Sequence, residues 1–201
     1  MRNITIAAAQ LGPIQRDDGR GDVIARMIAL LDEAAAQGAD LVAYPELALT
    51  TFFPRWYMED LSEVDSWFER EMPNEATQPL FDRARQHSVA ITFGYAELTP
   101  EGRRFNTSIL TDRDGNIVGK YRKVHLHGHV EFDPERSFQH FEKRYFEPGD
   151  LGFNVWRNMD AWMGLFSGND RRWPEAYRER GLQGVRRVRL GYHQPSVTAN
   201  G

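Results

Sequence analysis

The sequence predicts an α/β protein built on a mixed sheet. Three observations carry that prediction: a strand–helix–strand opening in residues 4–44, a hairpin across residues 105–124, and a strand that breaks at a sharp elbow into a helix in residues 161–175. Residues 4–10 read as a short buried strand that Leu11-Gly12-Pro13 ends. From about Asp22, apolar residues Ile24, Met27, Ile28, Leu31 and Ala35 recur at helical spacing until Gly38 stops the helix. Residues 41–44 are a second buried strand. A right-handed crossover of this kind makes the two strands parallel and brings their ends to one rim of the sheet, where functional groups collect.

Glu46 lies on that rim, flanked by apolar residues. It reads either as a solvated loop carboxylate or as a general base whose pKa the apolar surroundings raise. The aromatic segment 50–57 suits a pocket wall, a subunit contact or a core loop. A helix over 77–86, with Pro79 in its first turn, and a strand over 89–96 complete a third cycle. Strands at 105–110 and 117–124 then meet across Asp112 to Asn116, whose Gly115 marks a hairpin turn, so the sheet contains antiparallel pairs as well. Period-two alternation places Tyr121, Lys123 and His125 on one face and Lys120, Arg122 and Val124 on the other. The basic residues fit a solvated edge strand, or a lysine aimed into a site.

Residues 127–150 form a long connection dense in histidine and aromatics, a length that is often functional. His127 and His129 are two apart and no cysteine accompanies them, so no metal is expected. In residues 161–175 an apolar strand passes through Gly168-Asn169-Asp170-Arg171-Arg172 and restarts as a helix at Pro174 and Glu175. Such a corner lifts a side chain out of the sheet beside free N–H groups and sets two guanidinium groups where a carboxylate can bind. The corner asks for a nucleophile, and Gly168 stands there. A helix over 175–184 and a strand over 185–190 follow; Arg186, Arg187 and Arg189 are awkward in a strand expected to be buried on both faces. Residues 194–201 supply no element to cover that strand.

Length, charge and composition bound the function. At 201 residues, with 41% hydrophobic and 27% charged residues, the chain reads as one soluble domain. A net charge of -4 argues against a nucleic acid or anionic membrane held by charge, and no apolar run reaches membrane-spanning length. The N-terminal apolar run is too short for a secretion signal, which makes the cytoplasm the expected location. With no cysteine, disulfides and thiol nucleophiles are excluded for this chain.

Taken in order, several stretches closely resemble the N-carbamoyl-D-amino acid amidohydrolases of the nitrilase superfamily. They are Pro45 to Trp56, Arg104 to Ser108, Val118 to Leu126, Phe138 to Asp150 and Asn169 to Glu175. The resemblance implies a four-layer αββα sandwich, here a single carbon-nitrogen hydrolase domain over 1–201 without the C-terminal part of the family fold. It implies a cytoplasmic homodimer or homotetramer, with no cofactor, that hydrolyses a small-molecule ureido substrate to the D-amino acid, carbon dioxide and ammonia through a Glu-Lys-Cys triad. Carried over by position, Glu46 is the base, Lys123 the oxyanion-stabilising lysine and Glu142 the second glutamate. His129, His140 and Asn169 belong to the substrate site, and Arg171 and Arg172 form the carboxylate clamp. The family's cysteine falls at Gly168. Ser167 is a poor substitute, because a one-residue shift along a strand turns its side chain to the opposite face. The family is mainly apolar where this chain has its three arginines.

Overall fold

The computed structural model describes residues 3–192. Two sheets lie face to face, with helices on the outside of each. The first has strand order β1 (Ile6–Ala8), β2 (Leu41–Ala43), β3 (Ala90–Leu98), β4 (Arg104–Thr111), β5 (Ile117–Arg122). Pairing is parallel from β1 to β3 and antiparallel from β3 to β5, as the crossover and the hairpin predict. The second sheet is β6 (Val155–Asn158), β7 (Ala161–Ser167) and β8 (Arg187–Gly191), with β7 and β8 parallel. Helices α1 (Arg20–Ala36) and α3 (Gln78–His87) cover the first sheet. Two short helices, α2 (Leu61–Asp65) and α4 (Glu142–Tyr145), lie in connections, and α5 (Pro174–Leu182) packs on the second sheet, where Tyr177 meets Phe166 edge-on at 4.5 Å.

The alternation of the strands decides the layers. Val42, Ile91, Phe93 and Ile109 point to the helices, where they meet Ile24, Met27, Leu31, Leu80 and Phe81. Leu41, Ala90, Leu110 and Tyr121 point the other way and meet Met163 and Leu165 of β7. Burying a side chain such as Phe93 contributes about 2 kcal/mol. A third cluster, Phe53, Phe68, Phe141, Tyr145 and Phe146, ties the aromatic segment to the long connection, so the aromatic segment is largely a core loop.

Three expectations are corrected. The first strand is not buried: β1 is the outer strand of its sheet, pairs only with β2 among the described residues, and leaves Ile6 46% exposed. β5 ends at Arg122, so Lys123 lies just past the strand, where its N–H donates to the Asn106 carbonyl at 2.8 Å. The basic residues before it do stand on an edge strand, β5 being outermost in its sheet, but they are paired there, Lys120 and Arg122 both with Glu97. The arginine strand resolves its conflict by splitting: Arg186 and Arg187 are exposed, and only Arg189 goes inside. Residues 194–201 lie outside the described residues.

Candidate active site

Two chain corners face each other across the sheet interface. The first follows β2. Pro45 and Glu46 press so closely on β3 that a Cβ on Gly94 would come within 2.8 Å of the Glu46 Cα, so glycine is required there. Hydrogen bonds from Gly94 N–H to the Pro45 carbonyl (3.0 Å) and from Ala48 N–H to the Gly94 carbonyl (2.7 Å) fix this corner to β3. The second corner follows β7, where Gly168 to Arg172 make a short 3-10 turn. Fully buried Asp170 holds this turn: it accepts from Tyr121 OH (2.8 Å), His125 N–H (3.0 Å) and Ser167 N–H (3.2 Å).

Between the corners sits a buried ion cluster. The Lys123 ammonium, 3% exposed, donates to Glu46 Oε1 at 2.9 Å and to Glu142 Oε1 at 2.5 Å. Asn106 Nδ2 donates to the same two oxygens at 2.6 and 2.9 Å, and the His127 N–H donates to Glu142 Oε2 at 2.7 Å. Burial alone would lower the lysine pKa, but the charges of Glu46 and Glu142 outweigh it and hold the ammonium above the usual lysine range. Glu142 moves upward, because burial disfavours its charge and Glu46 adds to that, against the pull of Lys123.

Gly168 faces this cluster. A Cβ built on it would lie 2.6 Å from Glu46 Oε2 and 2.9 Å from Lys123 Nζ. Its φ of +40° is backbone that side chains rarely adopt. A side chain at residue 168 would therefore sit between a carboxylate and an ammonium. Ser167 does not reach the cluster: its Oγ is fully buried and engaged with Ser108 Oγ at 2.8 Å.

The cluster forms the floor of a cavity of about 780 Å³. All nine residues singled out by sequence border it: Glu46, Lys123, Glu142, Gly168, His129, His140, Asn169, Arg171 and Arg172. Arg171 lies over the Tyr192 ring at 4.5 Å, and neither Arg171 nor Arg172 pairs with a carboxylate among the described residues. Cations outnumber carboxylates around the cavity: Lys123, Lys143, Arg136, Arg171 and Arg172 against Glu46 and Glu142. His127 is lowered by burial and then by Arg172, Lys123 and Lys143. His140 is lowered to about 4, by burial first and then by His127 and Lys123, with Glu46 opposing.

Asn106 and His127 complete the site without having been assigned to it by sequence. Asn106 left a weak signal, an amide among apolar and small hydroxyl residues in a strand; His127 left only its place in a histidine-rich loop. Among the described residues no group of three or more His, Cys, Asp and Glu side chains is arranged to hold a metal ion, and no helix is long and apolar enough to cross a membrane.

The neutral state of His140 has a consequence for stability. Its folded pKa lies below the ordinary value of 6.5, so its contribution is complete above about pH 6.5 and is lost as pH falls toward 4. The loss is on the order of 2 kcal/mol. Urea unfolding between pH 7.5 and 4.5 is expected to show a smaller acid loss for His140→Asn than for the parent chain; parallel curves would contradict it.

The carbon-nitrogen hydrolase family model matches residues 5–194. Omega-amidase NIT2 of Homo sapiens is 28% identical over 186 residues, 91% of this chain and 62% of that protein. N-carbamoylputrescine amidase of Arabidopsis thaliana is 31% identical over 159 residues, 78% of this chain and 48% of that protein. The chain thus spans about half to somewhat under two thirds of the length of these relatives. In fold it is similar to the amidase of Nesterenkonia sp. AN1, in a structure recording Michael addition of acrylamide at the active site cysteine. The TM-score is 0.73 at 23% identity, over 98% of this chain and 70% of that one.

Proposed function

Since the chain belongs to the carbon-nitrogen hydrolase family, we propose that its cavity recognises N-carbamoyl-D-amino acids and is laid out to hydrolyse their ureido C–N bond. The observation that carries this reading is the placement of residue 168 between Glu46 and Lys123. Attack on an unreactive ureido carbon needs a base to take a proton from the nucleophile, and a positive charge where the carbonyl oxygen becomes an oxyanion. Glu46 is the base, and Lys123 holds the developing charge while Glu142 and Asn106 fix its position. Arg171 and Arg172 bind the α-carboxylate as a guanidinium clamp. With ureido group, carboxylate and side chain held at three points, the site selects the D enantiomer. His129, His140 and Asn169 line the same cavity and belong to the proposed substrate site.

With glycine at residue 168 the chain binds this substrate and turns over little of it. A second reading follows from the same glycine: the polypeptide serves as a binding member beside an intact subunit. Assembly as a homodimer or homotetramer in the cytoplasm belongs to the proposal, and light scattering on the purified chain tests the oligomeric state.

The substrate class is tested in the Gly168→Cys variant by ammonia release from N-carbamoyl-D-phenylglycine, its L enantiomer and a simple carboxamide of the same side chain. The D ureido compound is expected to react at least about tenfold faster than either alternative, the discrimination that a misplaced polar group imposes. Hydrolysis of the carboxamide with none of the ureido compound would overturn the substrate assignment.

A further inference from the structure

Arg189 is a buried cation with no carboxylate bonded to it among the described residues, and the reaction chemistry gives it no task. It is 5% exposed, on the innermost face of β8. Its Nη2 donates to the carbonyls of Tyr44 and Pro45, the latter at 3.1 Å, and Pro45 immediately precedes Glu46. Its Nη1 donates to Ser108 Oγ at 3.2 Å, and Ser108 Oγ lies 2.8 Å from the Oγ of Ser167, the residue immediately before Gly168. One guanidinium thus spans both corners of the site. Its Nε has no partner among the described residues. Burial lowers its pKa to about 10, opposed by the nearby charge of Glu46, so it stays charged at neutral pH.

The local sequence makes room for this arrangement. Gly191 is two residues on and on the same face of the strand, and a Cβ there would strike the guanidinium at 2.5 to 2.7 Å. Register places Gly191 opposite Ser167 and Arg189 opposite Leu165, so the side chain runs alongside the end of β7 toward the Glu46 corner. With Arg189 counted, the buried cluster holds two carboxylates, Glu46 and Glu142, and two cations, Lys123 and Arg189. A low-dielectric interior favours such balance, because an uncompensated buried charge is costly.

We propose that Arg189 is a positioning residue of the reaction centre: it fixes the corner bearing Glu46 to the corner bearing residue 168 and balances the second buried carboxylate. This rests on reading Glu46, Lys123 and residue 168 as that centre. Two properties of the side chain are used, the forked donor geometry and the charge, and a lysine keeps only the second.

The test is made in the Gly168→Cys background, where the introduced thiol reports on the corner without any substrate. Alkylation by iodoacetamide at pH 7 is measured for the parent, Arg189→Lys, Arg189→Met and, as a surface control, Arg187→Met, each with its thermal unfolding transition. Arg189→Met is expected to slow alkylation at least about tenfold, because the thiolate is favoured by nearby positive charge. Arg189→Lys is expected to recover part of that loss, and Arg187→Met to change nothing. Hydrolysis of N-carbamoyl-D-phenylglycine by the same proteins is expected to lose kcat with KM unchanged, since the carboxylate clamp is left intact.

Alkylation of a cooperatively folding Arg189→Met variant within twofold of the parent would overturn the proposal. If Arg189→Met does not unfold cooperatively, Arg189→Lys decides: an unchanged alkylation rate overturns the proposal and a slowed one supports it. Alkylation that depends on Arg189 without ureido hydrolysis would remove the substrate assignment and leave this role standing. Ureido hydrolysis with alkylation indifferent to Arg189 would do the reverse.

Discussion

Gly168→Cys is expected to raise ammonia release from N-carbamoyl-D-phenylglycine by about a thousandfold or more over the chain with glycine, since removing a nucleophile from an otherwise intact site costs up to about a millionfold. The expectation rests on where the new side chain lands. Its Cβ falls 2.6 Å from Glu46 Oε2 and 2.9 Å from Lys123 Nζ, too close for the cluster to stay as it is. Both contacts are with the far ends of the Glu46 and Lys123 side chains, which must draw back against their buried hydrogen bonds to make room. The φ of +40° costs a side-chain residue about 1 kcal/mol. Together these costs keep the gain below that of a fully adapted nucleophile. Adding Glu46→Gln or Lys123→Met to the same variant is expected to return the rate to the glycine baseline, as removal of the base or of the oxyanion charge should. A Gly168→Cys variant that folds, binds the substrate and releases no ammonia would show that residue 168 is not the point of attack.

Lys123→Met is expected to destabilise the fold by about 3–5 kcal/mol in urea unfolding at pH 7, the usual cost of stripping one partner from a buried ion pair. Lys123 is bonded to Glu46 and Glu142, both buried, and Asn106 cannot replace its charge. Without the ammonium, two carboxylates share a dry site with Arg189 as the remaining cation, and one of them takes up a proton. Lys123→Met with Glu142→Gln is therefore expected to recover part of the loss, because it removes a buried charge that has lost its partner. A loss below 1 kcal/mol for the single variant would mean that the cluster is hydrated rather than closed.

Much of this was legible in the sequence because it was local. Glycines 38 and 115, the spacing of Ile24, Met27 and Leu31, and Pro174 after the elbow fix α1, the hairpin and α5 without knowledge of their neighbours. The positions of Glu46, Lys123, Glu142 and Gly168 came from the ordered set of motifs. Their convergence joins Glu46 with Lys123, 77 positions on, and with Gly168 farther still, which no periodicity encodes. What stayed hidden was long-range. Ile6 has an apolar pattern that fits a central strand as well as an outer one, and only the strand order reveals its exposure. Three arginines in one strand look alike in sequence. Arg189 differs because Gly191 opens space for its guanidinium and the Tyr44 and Pro45 carbonyls lie within its reach. Asn106 was hidden for the same reason, since its two carboxylate partners come from other segments.

The most direct measurement is a calorimetric titration of the unaltered chain with N-carbamoyl-D-phenylglycine and, separately, with its L enantiomer. Binding does not require the missing nucleophile, so the result reports on the recognition site alone. Saturable heat with the D compound, much weaker heat with the L compound, and loss of the D signal in Arg172→Met are the predicted results. Absence of heat with both enantiomers, or equal heat with each, would contradict the assignment of the cavity to N-carbamoyl-D-amino acids.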